Sequence, residues 1–229
     1  MTRAQPRTLS TTIPAPVAGL NGRDPLDLMA ETDARTMVNW WPATNRIEVR
    51  RGYTEHATGM GSGPVQSVGE LVAANGTRKL LAAANSNLYD ATSAGAATSL
   101  ASGLTNNQWQ MHQFRGKLYA VNGEDAPRDW DGTTLSSTAW TGTTIANLIH
   151  VTDFKNRLYF IQKDSGSVWY GAVNGVTGAL TEFDALSLLN QGGSLLFCTQ
   201  WSRATGDGND NQFVMVGSEG DVLIYGGDF

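Results

Sequence analysis

Residues 109–132 read WQMHQFRGKLYAVNGEDAPRDWDG, and residues 149–172 read IHVTDFKNRLYFIQKDSGSVWYGA. Each gives a strand ending in Phe, a basic turn, a Leu-Tyr strand, an acidic tight turn and a strand ending in an aromatic. A weaker copy, VQSVGELVAANGTRKLLAAANSNLYDA, spans 65–91. A fourth, LLFCTQWSRATGDGNDNQFVMVGSEGDVLIYGG, spans 195–227 and carries an insertion at 204–211. Aligned on the start of the middle strand, the copies begin at Leu80, Leu118, Leu158 and Phe213, spaced 38, 40 and 55 residues apart. A period near 40 with three or four short strands per unit is the pattern of β-propeller blades. The expected fold class is all-β, with propeller-like repeats forming three to four blades in this chain after an irregular N-terminal extension. Propellers are scaffolds, so the repeat fixes architecture more firmly than function.

Composition agrees with many short strands and tight turns: 16% of residues are charged and 26 are Gly. The formal net charge of −5 argues against a general nucleic-acid-binding surface. The charge is uneven. Residues 1–51 hold seven Arg against five acids, and the remainder nine Lys or Arg against sixteen acids. Such asymmetry fits an extension that docks on another surface, or chance over a short window. The single cysteine, Cys198, leaves no internal disulfide and reads as a small core residue. No apolar run is long enough for a membrane span, and the N-terminus lacks the apolar stretch of a secretory signal. Synthesis in the cytoplasm without visible export is expected.

Three segments are read. Residues 1–20, with Pro6, Pro14 and Pro16, form an extended arm. Residues 21–64 form a docking segment, and 65–229 the blades. In the docking segment, Asp24-Pro25 can cap a helical turn with Leu26, Met29 and Ala30 on its apolar side. A turn at Asn45-Arg46 joins strands at 38–41 and 47–53. Met37, Val38, Trp40 and Trp41 then need a surface to bury against. The Thr-rich stretches 91–107 and 134–148 suit outermost blade strands or surface connections. Leu180, Phe183, Leu186 and Leu189 have near-helical spacing, which predicts a short helix or an ordered loop. The fourth unit lacks an outermost strand. Its ring is completed by N-terminal strands, by another chain or in a longer product, the last being favoured.

Local motifs favour structure over chemistry. Asp164-Ser165-Gly166-Ser167-Val168-Trp169 and Asp125-Ala126-Pro127-Arg128-Asp129-Trp130 resemble the Asp-box of sialidase-like propellers. The Ser or Thr expected two residues earlier is replaced by Gln162 and Gly123. In such a turn the Asp accepts backbone N–H groups while the aromatic packs beneath. Asp125, Trp130, Asp164, Gly166 and Trp169 are thus structural candidates. Glycoside hydrolysis needs two placed carboxylates or a Tyr nucleophile, and sialidases add an arginine cluster. Arg115 and Arg157 sit at equivalent turns of their repeats, which, with Arg128, argues against one convergent site. The 206–211 stretch GDGNDN resembles a calcium loop, but Gln212 and Ser218 replace its Gly and Glu, so a polar hairpin tip is preferred. His56, His112 and His150 carry no zinc-motif spacing. No enzyme activity, metal or cofactor is expected.

The segment 17–59, VAGLNGRDPLDLMAETDARTMVNWWPATNRIEVRRGYTEHATG, resembles the opening of the tail-nozzle proteins of short-tailed bacteriophages. These are also called tail tubular protein B or packaged-DNA stabilisation proteins. The matching residues are Gly19-Leu20-Asn21, Arg23-Asp24-Pro25, Asn39-Trp40-Trp41 and Val49-Arg50-Arg51-Gly52, the last with its Arg and Gly closer together than usual. The strand Phe154-Lys155-Asn156-Arg157-Leu158-Tyr159-Phe160 is similar to one in the same proteins. The resemblance covers 17–56 and 149–183; family members are several times longer. It implies a virion structural protein in the tail, forming a homo-oligomeric, usually hexameric, ring below the portal and adaptor. Such a ring extends the channel for packaged double-stranded DNA, without sequence-specific binding, and helps retain and then release it. Arg23, Asp24, Pro25, Asn39, Trp40, Trp41, Arg50 and Arg51 are the candidate interface. The alternatives are a glycan-binding or sialidase-like propeller and a generic protein-interaction propeller.

Overall fold

Two-residue turns with left-handed backbone set the strand register of this chain. Arg115-Gly116 (φ 48° and 76°), Lys155-Asn156 (46° and 61°) and Asn85-Ser86 (47° and 61°) each turn a strand back on its neighbour. Two successive positive φ values match the right-handed twist of antiparallel strands. Arg115 and Lys155 hold their charged ends 5.9 and 5.4 Å from the rings of Phe114 and Phe154, a contact that favours a cation at this turn.

The computed structural model describes the backbone of residues 10–205 and 208–227, and side chains over 10–202 and 211–227. The chain divides into two units, Met1–Thr54 and Glu55–Phe229. In the first, β1 (Gly19–Leu20) pairs in parallel with β2 (Asp33–Ala34). β3 (Trp40–Ala43) and β4 (Arg46–Val49) form a hairpin whose turn falls at Thr44-Asn45, one residue earlier than the sequence reading. The helical turn expected after Asp24 is a single turn, with Leu28 N–H donating to Pro25 O at 3.0 Å. Residues 1–9 of the expected arm lie outside the described residues. Its end turns at Pro16–Gly19 before entering β1.

The second unit starts with β5 (Ala57–Thr58). The first sheet follows as β6 (Ser67–Val72), β7 (Arg78–Ala84), β8 (Asn87–Asp90), then, after β9 (Gly95–Ala96), β10 (Thr98–Ala101). The second sheet is β11 (Gln110–Phe114), β12 (Lys117–Val121), β13 (Arg128–Trp130) and β14 (Leu135–Ser137). Next come β15 (Trp140–Thr141) and the third sheet: β16 (Leu148–Phe154), β17 (Arg157–Gln162), β18 (Ser167–Tyr170) and, past β19 (Gly178–Ala179), β20 (Thr181–Asp184). The fourth sheet has three strands, β21 (Leu195–Thr205), β22 (Gly208–Gly217) and β23 (Val222–Tyr225). The insertion lengthens the β21–β22 ladder. The fold class is all-β and propeller-like. β5 pairs with β9, and β15 with β19, both in parallel. From Ala57 to Trp140 and from Gly95 to Gly178 the offset is the same 83 residues, so blades one and three share a device that blade two lacks.

Position in the repeat decides burial. Glu70, Gln113, Asp153 and Gln200 of the four inner strands lie opposite Leu80, Leu118, Leu158 and Phe213. One residue further along, Leu71, Phe114 and Phe154 each enter an inter-sheet core. On the middle strands, Leu81 and Ala83, Tyr119 and Val121, and Tyr159 and Ile161 enter the same three cores. The next sheet closes each core from behind with Leu118 and Ala120, Leu158 and Phe160, or Phe213 and Met215. Three cores therefore stack between four sheets, each core made by the forward face of one sheet and the rear face of the next.

The near-helical stretch is β20 followed by a 3-10 turn at Leu186–Leu188. Its spacing misleads because the apolar residues serve two cores. Leu180 enters the one between sheets two and three, and Leu189 the one between sheets three and four. Gly166 permits this turn: a Cβ there would sit 2.6 Å from the Leu186 Cα and N. Gly166→Ala is expected to destabilise the protein by about 1–3 kcal/mol. Gly226→Ala, with open space around it, should change stability little. Urea unfolding midpoints of the two variants check this.

Candidate functional site

In the first unit, Gly19 is the one buried residue among those described. A two-stranded hairpin is marginal without a surface to pack on. Yet β3 and β4 carry Trp40 at 51% exposure and Trp41 at 70%, with Val38, Val49 and Tyr53 also exposed. Trp40 lies between two hollows. One, about 260 Å³, is lined by Pro16, Thr36, Met37 and Ile47; the other, about 360 Å³, by Leu20, Met37, Trp41 and Pro42. The surface that Trp40 and Trp41 need to bury against is not supplied by the described residues of their own unit.

A polar network shapes the loop that precedes it. Asn21 Nδ2 donates to Asp24 Oδ2 at 3.0 Å and to Asp33 Oδ2 at 2.7 Å, while Asn21 Oδ1 accepts the Arg23 and Asp24 N–H groups. Arg23 Nε donates to Asp24 Oδ1 at 2.9 Å. The Arg23 guanidinium, with Asn21, holds the Asp24 carboxyl below its ordinary range. Asp24 therefore braces a loop and caps no helix, and Pro25 opens the turn to Leu28. Asn39 adopts φ 59°, and its carbonyl accepts Arg50 N–H at 2.7 Å, closing the hairpin base. Arg50 and Arg51 are exposed beyond it. The candidate interface residues thus share one small unit, where Asn21 is the organiser that sequence reasoning named only as part of a motif.

The Asp-box candidates do different work from that expected. Asp125 accepts Thr105 N–H at 2.9 Å, Thr105 Oγ1–H at 2.9 Å and Asn122 Nδ2 at 2.6 Å, tying its turn to the loop after the first sheet. Partial burial works against its charge, but these hydrogen bonds prevail and lower its pKa. The turn's own N–H groups, from Glu124 and Asp125, go to Asn122 Oδ1. In the third sheet Ser165 replaces the Asp: its Oγ donates to Gln162 O and accepts Ser167 N–H. Asp164 holds φ 53° and contributes backbone shape. Trp130 is fully buried, and Trp169 donates Nε1–H to Gln162 Oε1 at 2.8 Å.

A second concavity, about 360 Å³, runs along the inner strands β11, β16 and β21. It holds Gln110, His112, His150, Asp153, Thr199 and Gln200. Adjacent inner strands are linked here by side chains. Gln110 Oε1 accepts Val151 N–H at 2.7 Å, His112 Nε2 meets Asp153 Oδ1 at 2.7 Å, and His150 Nε2 lies 2.7 Å from Cys198 O. Burial lowers the His150 pKa, the Cys198 carbonyl opposes this, and His112 adds to it. Burial raises the Cys198 thiol, which stays protonated. Among the described residues the groove has one carboxylate, Asp153, and it is bonded to His112. The arginines do not meet there: Arg115 bonds Asn174, Arg128 bonds Ser137, and Arg157 bonds the Gly171 carbonyl. Asp207 of the calcium-loop candidate lies outside the described residues.

These features define a class: an all-β fold of propeller-like sheets preceded by a small N-terminal unit that exposes Trp40 and Trp41. No protein-family model and no curated protein matches the chain. Among solved structures, the computationally designed Ika4 protein is similar at 13% identity and a TM-score of 0.46, over 76% of this chain and 99% of that one. That likeness carries no argument about function.

Asp125→Ala is expected to lower stability by about 1 kcal/mol, since three hydrogen bonds to a partly exposed carboxylate are lost. A His150 pKa below the unfolded value of 6.5 means the unfolded chain takes the proton more readily. Stability should therefore fall as pH drops below 6.5, and His150→Gln should flatten that dependence. Thermal unfolding between pH 5 and 8 measures both.

Proposed function

We propose that this chain is a structural virion protein of a bacteriophage tail, a ring subunit of the nozzle type. Below the portal and adaptor it extends the channel for packaged double-stranded DNA, helps retain the DNA, and releases it on ejection. One observation carries the reading. The unit that bears the nozzle-like sequence has almost no buried residue of its own and exposes Trp40 and Trp41 beside apolar hollows. Exposed aromatics next to pockets are what an anchor for a neighbouring subunit looks like. The role is mechanical, with no catalytic step, and six copies form the ring. The net charge of −5 suits a wall along which DNA passes without sticking.

The polar groove with Gln110, His112, Thr199 and Gln200 supports a second reading, a glycan-binding propeller. The two separate cleanly. Cryo-EM of assembled tails should place this chain in a six-fold ring. Trp40→Ser with Trp41→Ser should cut its incorporation by at least about tenfold, as loss of a hot-spot pair does. A chain absent from the particle, or incorporated equally well as the double variant, overturns the nozzle reading and sends the purified protein to a glycan array.

A further inference from the structure

Among the described residues, the forward face of the fourth sheet is left exposed. Leu71, Phe114 and Phe154 each fill the inter-sheet core ahead of their own sheet, and the fourth residue of that series is Trp201, which is 53% exposed. Val214 and Val216 occupy the middle-strand positions of Tyr159 and Ile161 and are half-buried. Val222 and Ile224 lie opposite them on β23 and are exposed. This is the pattern of a core-forming face without its second half.

The first sheet has the reverse vacancy. Met111, Val151 and Cys198 pack backwards on the preceding core, and their equivalent on β6, Val68, is 58% exposed. Leu80 stands where Leu118, Leu158 and Phe213 close cores from behind, and it is half-buried. The polar pattern matches too. His112 of the second sheet bonds Asp153 of the third, and the same two positions are Thr199 on the fourth sheet and Glu70 on the first. A threonine hydroxyl donates to a carboxylate, so this pair is chemically complementary.

We infer that the forward face of the fourth sheet binds the rear face of the first sheet in a second copy of this chain. Trp201 enters the core so formed, with Val68 and Leu80 against it, and Thr199 donates to Glu70. Such a contact joins different patches and must close to avoid a filament. Two copies bring eight sheets, within the four to eight at which propellers close. The occupant is a second copy because both halves of the missing core are on this chain, at positions its three internal cores already use. The inference is independent of the nozzle reading.

Native mass spectrometry over a concentration series tests it, with folding checked by circular dichroism. The wild-type chain should appear at twice its 24.5 kDa mass. Trp201→Asp and Val68→Arg, both at exposed positions, should each leave the monomer folded and weaken pairing by about thirtyfold or more. Mixed together, the two variants should pair again, because one of the two contacts then has both faces intact. A monomeric wild-type protein overturns the inference and gives the face to another partner. So does a dimer that survives Trp201→Asp and is lost in the Trp40→Ser, Trp41→Ser variant. A dimer lost in Trp201→Asp but kept in Val68→Arg also overturns it, since the contact would join like faces.

Discussion

Side-chain packing between sheets, with no main-chain ladder across them, is the constraint on which this molecule depends. Backbone ladders close each sheet on itself, and isolated main-chain bonds such as Gly123 N–H to Leu148 O and Leu195 N–H to Ser165 O only pin neighbouring sheets at their ends, so the contact between sheets rests on what their faces present. The three cores are filled by a fixed set of repeat positions, and every one draws on two sheets. A sheet with one bare face is half-built, which is why apolar residues at the ends of the array carry information that those in its middle do not. Along the inner strands, side chains take over the role of a ladder. Ser67 accepts Trp109 N–H, Gln113 both donates to and accepts from the Val72 backbone, and Gln110 takes Val151 N–H. Amide and hydroxyl side chains suit this because they match a peptide group in donor and acceptor chemistry. Phe197 holds the position of Ser67, Gln110 and His150, so the polar series ends at the fourth sheet.

Differences among the blades follow the same logic. Lys79 pairs with Asp90 in the first sheet and Lys117 with Asp129 in the second. The third sheet has Tyr170 where Asp129 stands, and Arg157 answers by lying 5.7 Å from the Tyr170 ring and bonding Gly171 O. The cation is kept and its partner changes from carboxylate to ring face, which retains the attraction without a buried negative charge. Where the acid remains, it has consequences. Burial, with Asp129 nearby, pushes the Tyr119 hydroxyl up to about 12.

The repeats were legible because their strongest signals are local. Two-residue turns such as Lys155-Asn156 and the Leu-Tyr strands write themselves in consecutive residues. What stayed illegible depends on which core a residue meets. Leu180 and Leu189 look like one helical face but belong to separate cores. Trp40 and Trp41 read as residues in need of a surface, but the sequence does not say which, and no described element of their own unit covers them. The turn chemistry was half legible. An Asp at each acidic turn was visible, but Asn122 and Ser165 accept the turn N–H groups, and Asp125 reaches instead to Thr105. Short polar side chains are interchangeable as turn acceptors, so residue type alone does not say which one does the work.

The polar links between inner strands could have been found from sequence once the copies were aligned on Leu80, Leu118, Leu158 and Phe213. Ser67, Gln110 and His150 share one column, and an apolar Phe197 in it is out of character. The column four residues further along, Leu71, Phe114, Phe154 and Trp201, keeps its apolar character through all four copies. A large aromatic retained where a bare sheet end would favour a polar residue is a thermodynamic oddity unless something covers it. Column-by-column comparison separates two kinds of apolar residue that composition merges: those packed in a core among the described residues, and those left exposed there at a position that the other copies bury.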